Sequence, residues 1–337
     1  MKILFITFYK KDDQNKPNFY KFADYLSDQI LHGLRELYGD SVIDYPGSWH
    51  LYKDEATKRK LDKNIIFGKG FTYTNILDNY DKIDRDNIES KIKTNYFDLI
   101  IYGSIRRSDL FLELAINSNS KIIFIDGTDD VYIDKKYLKH GLYFKREYVE
   151  NITKVKPISF SVPKSKILKT VDNNPTNIIA PLIPGKSKTY IYNTEEDYYK
   201  MYQKSIFGIT YKKTGWDCLR HYEILMNGCI PLFLDIESCP NNTMESFPKK
   251  KIIEIKKKYY SVLNFHNPFD IFIKKFQKKT IIIDYVKYIF NSKKKVETYL
   301  KENPEIYKLK EELLMFVKQN LTTETSAKNL INIINNE

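Results

Sequence analysis

The chain has 337 residues and a formal net charge of +12. Hydrophobic residues make up 42% of it and aromatic residues 15%, which excludes a disordered chain, and 12 glycines and 12 prolines exclude a collagen-like or low-complexity one. At about 150 residues per domain, the length predicts two domains or one large barrel.

The sequence contains no membrane-spanning segment and no cysteine framework. No apolar run reaches the roughly 20 residues that cross a bilayer, and the apolar opening stops at Lys10, too early for a signal peptide. Cys218, Cys229 and Cys239 form no Cys-x-x-Cys pair, so neither disulfides nor a zinc site are predicted. We therefore expect a cytoplasmic protein, with peripheral membrane contact left open.

The basic charge favours a lysine-rich solvated surface over a nucleic-acid interface. Only seven of the 55 basic residues are arginine, and the lysines are spread along the whole chain. A basic patch that binds nucleic acid concentrates its charge on one face. We expect no nucleic-acid partner and keep nucleic-acid binding as the alternative function.

Short apolar runs alternate with helical patterns in the first half. This alternation is typical of a parallel sheet covered on both faces. In chain order we predict strands over residues 2–8, Ser41–Tyr45, Phe97–Tyr102 and Lys121–Ile125, and helices over Asn18–Tyr38 and Ser108–Asn117.

The second half repeats the alternation after a proline-containing stretch at Lys154–Asn177. Predicted strands cover Asn177–Ala180, Ile206–Thr210, Ile230–Leu234 and, more weakly, Lys251–Glu254, and predicted helices cover Thr194–Gln203, Asp217–Asn227 and the chain from Pro268 onward. The fold class is α/β, with two Rossmann-like parallel-sheet domains facing a cleft and a helical C-terminal tail. We assign residues 1–160 to an N-terminal acceptor domain, 161–302 to a nucleotide-sugar domain and 303–337 to helices that pack back on the N-terminal domain.

The segment from Phe207 to Pro240 is the most informative one. After the strand that ends at Thr210, a turn with Lys212, Lys213 and Gly215 leads into a helix that begins near Asp217. Such a turn places lysine side chains, backbone N–H groups and the positive end of a helix at one point, which suits an anion.

The charged side chains on this helix have two interpretations. Asp217, Arg220 and Glu223 are three residues apart and share one face. They line a binding site in one interpretation and form a structural ion-pair ladder, capped by Asp217, in the other. Similarly, Trp216 and His221 either contact a ligand or pack in the core.

This segment resembles the donor-site signature of exostosin-like glycosyltransferases of GT-B architecture. The resemblance is carried by WDCLRHYE at Trp216–Glu223 and NGCIP at Asn227–Pro231, although the turn before them differs from the usual Pro-Arg-Gly type. It implies that Glu223 binds the ribose hydroxyls of a nucleotide-diphosphate sugar and that Arg220, Lys212 and Lys213 face its diphosphate. The partners implied are this donor and a carbohydrate acceptor.

Glycosyl transfer leaves negative charge on a nucleoside diphosphate, which fixed positive groups or a divalent cation stabilise. We expect a metal-independent reaction without a cofactor, in which the chain supplies the positive groups. Further candidate phosphate contacts are Lys145, Arg146 and Lys186.

The first domain is expected to bind the acceptor and to supply a general base. Asp126 and Asp129 follow a predicted strand and are the candidate catalytic residues, with Asp126-Gly127 as an ordinary turn in the alternative interpretation. The candidate acceptor contacts are Trp49, His50, Arg106 and Arg107. A non-catalytic relative of the transferases, and another Rossmann-type enzyme without a Gly-x-Gly-x-x-Gly turn, remain open alternatives.

Overall fold

The computed structural model describes residues 1–8, 23–63, 66–259 and 293–337. Within these residues the chain forms two compact units. Unit 1 comprises Met1–Ser165, Pro240–Ser246 and Asn320–Glu337, and unit 2 comprises Lys166–Cys239 and Phe247–Gln319. Both are built on parallel sheets, so the chain is an α/β protein.

The described part of unit 1 holds a six-stranded parallel sheet in the order β2-β1-β3-β4-β5-β6. The strands are β1 (Ile3–Ile6), β2 (Val42–Tyr45), β3 (Leu99–Tyr102), β4 (Lys121–Asp126), β5 (Leu142–Lys145) and β6 (Val155–Pro157). The chain steps from β1 to β2 in one direction and continues from β3 in the other. The strand order therefore reverses between β1 and β3, and ligands of such sheets bind beyond the carboxyl ends of the strands at this point.

The helices of unit 1 include one from the far end of the sequence. They are α1 (Tyr25–Tyr38), α2 (Lys53–Lys58), α3 (Ile88–Lys93) and α4 (Leu112–Ile116), together with α10 (Thr323–Asn336). The helices α5 to α9 belong to unit 2. The α1 helix packs on α10 so closely that a Cβ atom on Gly33 would lie 2.1 Å from the Thr323 carbonyl oxygen. Only glycine permits this approach of the two backbones.

The described part of unit 2 holds a three-stranded parallel sheet in the order β7-β8-β9. The strands are β7 (Asn177–Ile179), β8 (Ser205–Thr210) and β9 (Ile230–Phe233), and the helices are α5 (Glu195–Gln203), α6 (Leu219–Met226), α7 (Lys249–Tyr259), α8 (Lys293–Glu302) and α9 (Ile306–Asn320). The Thr194 hydroxyl caps α5 by accepting a bond from the Asp197 N–H. Gly228 ends α6 with a φ of 65°.

Two predicted elements are wrong. The weak strand at Lys251–Glu254 is part of α7, because Ile252, Ile255 and Tyr259 are buried at helical spacing. The helix predicted from Ser108 is only the five-residue α4, which follows Phe111 in the left-handed conformation.

Two further predictions need qualification, and one strand was not predicted. The first helix begins at Tyr25, after the Asp24 side chain that caps it, and its predicted start at Asn18 lies outside the described residues. The helical region predicted from Pro268 is described only from residue 293 onward. In the proline-containing stretch, the short edge strand β6 was not predicted.

Candidate functional site

In unit 2, the segments that follow the three strands meet at the carboxyl edge of the sheet. The Tyr211 hydroxyl, after β8, donates a 2.6 Å hydrogen bond to the carbonyl of Pro184, which follows β7. The Lys212 N–H donates to Oδ1 of Asp235, which follows β9, at 3.0 Å. The predicted donor-binding turn is therefore tied to both neighbouring strand ends.

In the turn before α6, two backbone N–H groups already donate hydrogen bonds within the protein. The Lys213 N–H bonds to the Gly215 carbonyl, and the Lys212 N–H is taken by Asp235. These two N–H groups are thus unavailable to an anion, contrary to the prediction that the backbone N–H groups of this turn bind one. The lysine side chains remain as positive groups: Lys212 Nζ lies 5.0 Å from the centre of the Trp216 ring, and Lys213 is exposed.

Both ring nitrogens of His221 are within hydrogen-bond distance of other residues of the chain. His221 is buried, and its Nε2 lies 2.9 Å from the Trp216 carbonyl while its Nδ1 lies 2.8 Å from the Thr210 hydroxyl. Since a carbonyl only accepts, Nε2 carries the proton and Nδ1 accepts from Thr210. His221 therefore fixes the turn to the end of β8, which supports the core interpretation of this residue.

The start of α6 differs from the prediction at Asp217. The helix begins at Leu219, and its N-cap residue is Cys218, whose side chain makes no capping bond. Asp217 is buried and accepts a 2.8 Å hydrogen bond from the Tyr222 hydroxyl. The carboxylate therefore fixes the turn rather than capping the helix.

Arg220, in the first turn of α6, has no carboxylate partner in the described part of the chain. Its Nε is buried without a hydrogen bond, and the guanidinium lies over the Tyr190 ring at 5.2 Å. Burial disfavours the charged form, but the neighbouring Tyr198 and Tyr202 hydroxyls outweigh it and raise the pKa of Arg220. The ion-pair ladder of the alternative interpretation is therefore not formed at its central residue.

Glu223 lies one turn further along α6 and is 6% exposed. Its Oε2 accepts a 2.7 Å hydrogen bond from the Tyr198 hydroxyl of α5. Burial, and then the charge of Glu223, raise the pKa of Tyr198 well above its usual range, so this hydroxyl stays protonated and keeps donating. The carboxylate predicted to bind ribose is thus held in place by a tyrosine and presents little surface.

The loop after β7 brings Lys186 to the same edge of the unit 2 sheet. Lys186 precedes a short 3-10 turn at Ser187–Thr189, and Tyr190, which follows that turn, lies under Arg220. The structure therefore gathers Lys186, Lys212 and Arg220 on the segments that follow β7 and β8.

In unit 1, Asp126 lies at the end of β4 inside a hydrogen-bond network. It is fully buried and accepts bonds from the Thr128 N–H at 3.0 Å and the Tyr143 hydroxyl at 2.6 Å, and its Oδ2 lies 3.2 Å from Lys145 Nζ. Burial outweighs the charge of Asp126 and lowers the pKa of Lys145. This predicted base and this predicted phosphate contact are therefore bound to each other in the interior.

The other charged candidates of unit 1 surround this network. Asp129 forms an ion pair with Arg146, which also contacts Glu147 at 3.3 Å. Arg106 lies 3.8 Å from both Asp126 and Asp130. Burial acts to raise the pKa of Asp130, but the charges of Lys145 and Arg106 outweigh it, and the pKa is lowered.

The acceptor candidates Trp49 and His50 follow β2 and are placed differently. Trp49 is buried, with the Arg59 guanidinium 5.2 Å from its ring centre. His50 keeps 16% of its side chain exposed, and its Nε2 lies 3.0 Å from Oδ2 of Asp28 in α1. The partner Asp28 was missed by the sequence analysis, because it lies 22 residues before His50 in the middle of a helical pattern.

The expectation of a metal-independent reaction took the sequence to contain no Asp-x-Asp triplet, which is wrong, because Asp84 and Asp86 form one. Asp84 accepts hydrogen bonds from Lys91 Nζ at 2.7 Å and from the Asp86 N–H at 3.1 Å. The described residues contain no group of three or more His, Cys, Asp or Glu side chains placed to hold a metal ion.

Comparisons with known proteins give no information about the site. No protein-family model matches the chain, and no curated protein matches it. In the part of the chain that the structure describes, no helix combines the length and the apolar character needed to cross a membrane.

Proposed function

We propose that the protein is a nucleotide-sugar-dependent glycosyltransferase of GT-B architecture, related to the exostosin-like enzymes. It would transfer a sugar from a nucleotide-diphosphate sugar to a hydroxyl group of a glycan, a glycolipid or a protein-linked sugar. Its two units with parallel sheets and the signature at Trp216–Pro231 support this proposal.

The proposal is based mainly on the surroundings of the Arg220 guanidinium. The Arg220 guanidinium lies at the carboxyl edge of a parallel sheet, its Nε is buried without a hydrogen bond, and it forms no ion pair with a carboxylate of the described residues. A planar guanidinium binds phosphate oxygens through two parallel hydrogen bonds. A diphosphate at Arg220 would supply the missing partner, close to an α6 start that no side chain caps.

The same groups suit the leaving group of glycosyl transfer. When the bond between the sugar and the β-phosphate breaks, negative charge develops on the diphosphate. In this proposal Arg220 neutralises it together with Lys212 and Lys213, so the positive charge comes from the chain itself.

A thermal-shift comparison of nucleotides tests the proposal. UDP, GDP and CMP are compared with uridine and guanosine, which lack phosphate. We expect one nucleoside diphosphate to raise the melting temperature, since a ligand at 100 times its dissociation constant adds about 2.7 kcal/mol of stability. The nucleoside alone should have little effect. If no nucleotide stabilises the protein, or if double-stranded DNA does so with a steep salt dependence, the proposal is wrong.

Glu223→Gln tests the ribose assignment. Gln keeps an oxygen that accepts the Tyr198 bond, so the fold should be retained, but the ribose hydroxyls lose a charged acceptor. We expect wild type to prefer the bound diphosphate over its 2′,3′-dideoxy analogue by about tenfold, since hydrogen bonds to charged groups contribute about 1.5–3 kcal/mol. Glu223→Gln should bind both analogues equally in calorimetry, whereas Glu237→Gln, an exposed control, should keep the preference. Equal binding by wild type would refute the role of Glu223.

A further inference from the structure

Two oppositely charged side chains of α6 lie one turn apart and do not pair. Arg220 and Glu223 are three residues apart on one face of the helix, a spacing at which opposite charges attract each other. Arg220 nevertheless forms no ion pair with a carboxylate of the described residues, and its Nε is buried without a hydrogen bond. Because the spacing alone would bring the two groups together, another contact must hold them apart.

The neighbouring helix α5 supplies such a contact at Glu223. The Tyr198 hydroxyl donates its 2.7 Å hydrogen bond to Oε2 of the carboxylate, and both side chains are 6% exposed. Burial and the charge of Glu223 raise the pKa of Tyr198, while the charge of Arg220 acts in the opposite direction. The hydroxyl therefore stays protonated, and it lies close to both charged groups of α6.

The position of Tyr198 is fixed by contacts other than the one with Glu223. The Thr194 hydroxyl caps the start of α5, and the Tyr199 hydroxyl donates a 3.0 Å hydrogen bond to Glu195 within the same helix. The ring of Tyr198 packs against the edge of the Tyr202 ring, with the ring centres 5.3 Å apart. The helix thus presents the hydroxyl to α6 in a defined place, as a preorganised site requires.

We propose that Tyr198 holds Glu223 away from Arg220 and thereby keeps the guanidinium available to an anionic ligand. This rests on the proposed function, in which the ligand is the diphosphate. Without the hydroxyl, the carboxylate would pair with the guanidinium one turn away, because a buried charge needs a partner. Tyr198 is therefore a positioning residue, which acts on the ligand through Glu223.

Calorimetry with inorganic pyrophosphate tests this inference on Tyr198→Phe. Phenylalanine fills the same space but cannot donate, so Glu223 should pair with Arg220 and the variant should stay folded. If this pair forms in about nine of ten molecules, the affinity for pyrophosphate falls about tenfold. Tyr199→Phe is the matched control on the same helix. It removes a hydroxyl that binds Glu195, and it should bind pyrophosphate as wild type does.

A second substitution distinguishes positioning from damage to the fold. Glu223→Gln removes the charge that would pair with Arg220. The double variant Tyr198→Phe/Glu223→Gln should therefore bind pyrophosphate as tightly as wild type, about tenfold more tightly than Tyr198→Phe alone. Removal of a charge would not restore binding if the substitution at Tyr198 had merely displaced α5 or α6.

The outcomes separate this inference from the proposed function. If neither a nucleotide nor pyrophosphate binds to wild type, the proposed function is wrong. If a nucleoside diphosphate binds and pyrophosphate does not, if Tyr198→Phe binds pyrophosphate as wild type does, or if the double variant does not recover the affinity, only the role of Tyr198 is wrong. Failure of Tyr198→Phe to fold would also contradict this role, because Arg220 would then not have replaced the lost partner of Glu223.

Discussion

Replacing Arg220 by methionine should weaken nucleotide binding strongly while the protein stays folded. Methionine fills a similar volume beside the Tyr190 ring, and the substitution removes a buried charge that no described carboxylate neutralises. Loss of a two-point contact with a diphosphate should weaken its binding about 100-fold, equivalent to about 2.7 kcal/mol. Turnover should fall further, because the charge on the diphosphate grows in the transition state. Calorimetry with the best nucleotide of the panel, followed by single-turnover kinetics, measures both effects.

Two further variants test whether the loss of binding comes from the guanidinium group of Arg220. Arg220→Lys keeps the charge but loses the planar pair of donors, so its affinity should lie between those of wild type and Arg220→Met. Arg59→Met removes a half-exposed arginine of unit 1 and should bind nucleotide as wild type does. Undiminished binding by Arg220→Met would place the diphosphate elsewhere and remove the main support for the proposed function.

The second large effect concerns acid stability. His32 is buried between α1 and α10, with Nδ1 2.8 Å from the Thr323 hydroxyl, and burial lowers the pKa of His32 to about 4. Glu36 lies 3.8 Å away but is 47% exposed, so water screens its charge. The folded state therefore binds a proton at His32 more weakly than the unfolded state does.

The sign of the pH dependence follows from this lowered pKa. At a pH above about 6.5, the pKa of His32 in the unfolded chain, the free energy of unfolding has its full value. It decreases by about 3 kcal/mol as the pH falls from there toward 4. Urea unfolding should show that His32→Gln loses less stability than wild type between pH 7 and pH 4, by about this amount. His140→Gln should behave as wild type does. If wild type and His32→Gln lost the same free energy of unfolding between pH 7 and pH 4, His32 would not be the cause of the instability in acid.

The sequence was sufficient for elements whose pattern is local. Leu99–Tyr102, within the predicted strand Phe97–Tyr102, is a continuous apolar run and forms a strand of the structure. The apolar run Ile230–Leu234 likewise contains the strand Ile230–Phe233. The strand β6 was missed because Val155–Pro157 is three residues long and ends in a proline, which an edge strand tolerates.

The side-chain contacts within the candidate site could not be predicted from local patterns. The spacing placed Arg220 and Glu223 on one face of α6, but the tyrosine that binds Glu223 comes from α5, 25 residues earlier. Likewise, the pairing of Asp126 with Lys145 and of Asp28 with His50 depends on which strands are neighbours. Such contacts between distant residues follow from the sheet order, and no single motif contains them.

The position of α10 has a consequence for synthesis in the cell. This helix packs against Gly33 of α1, although more than 280 residues separate Gly33 from Thr323 in the sequence. Domains generally fold as units while the ribosome is still adding residues. Here unit 1 lacks α10 until residues 320–337 emerge. The surface of α1 that contacts α10 therefore stays uncovered while unit 2 is translated, and chaperones can bind it.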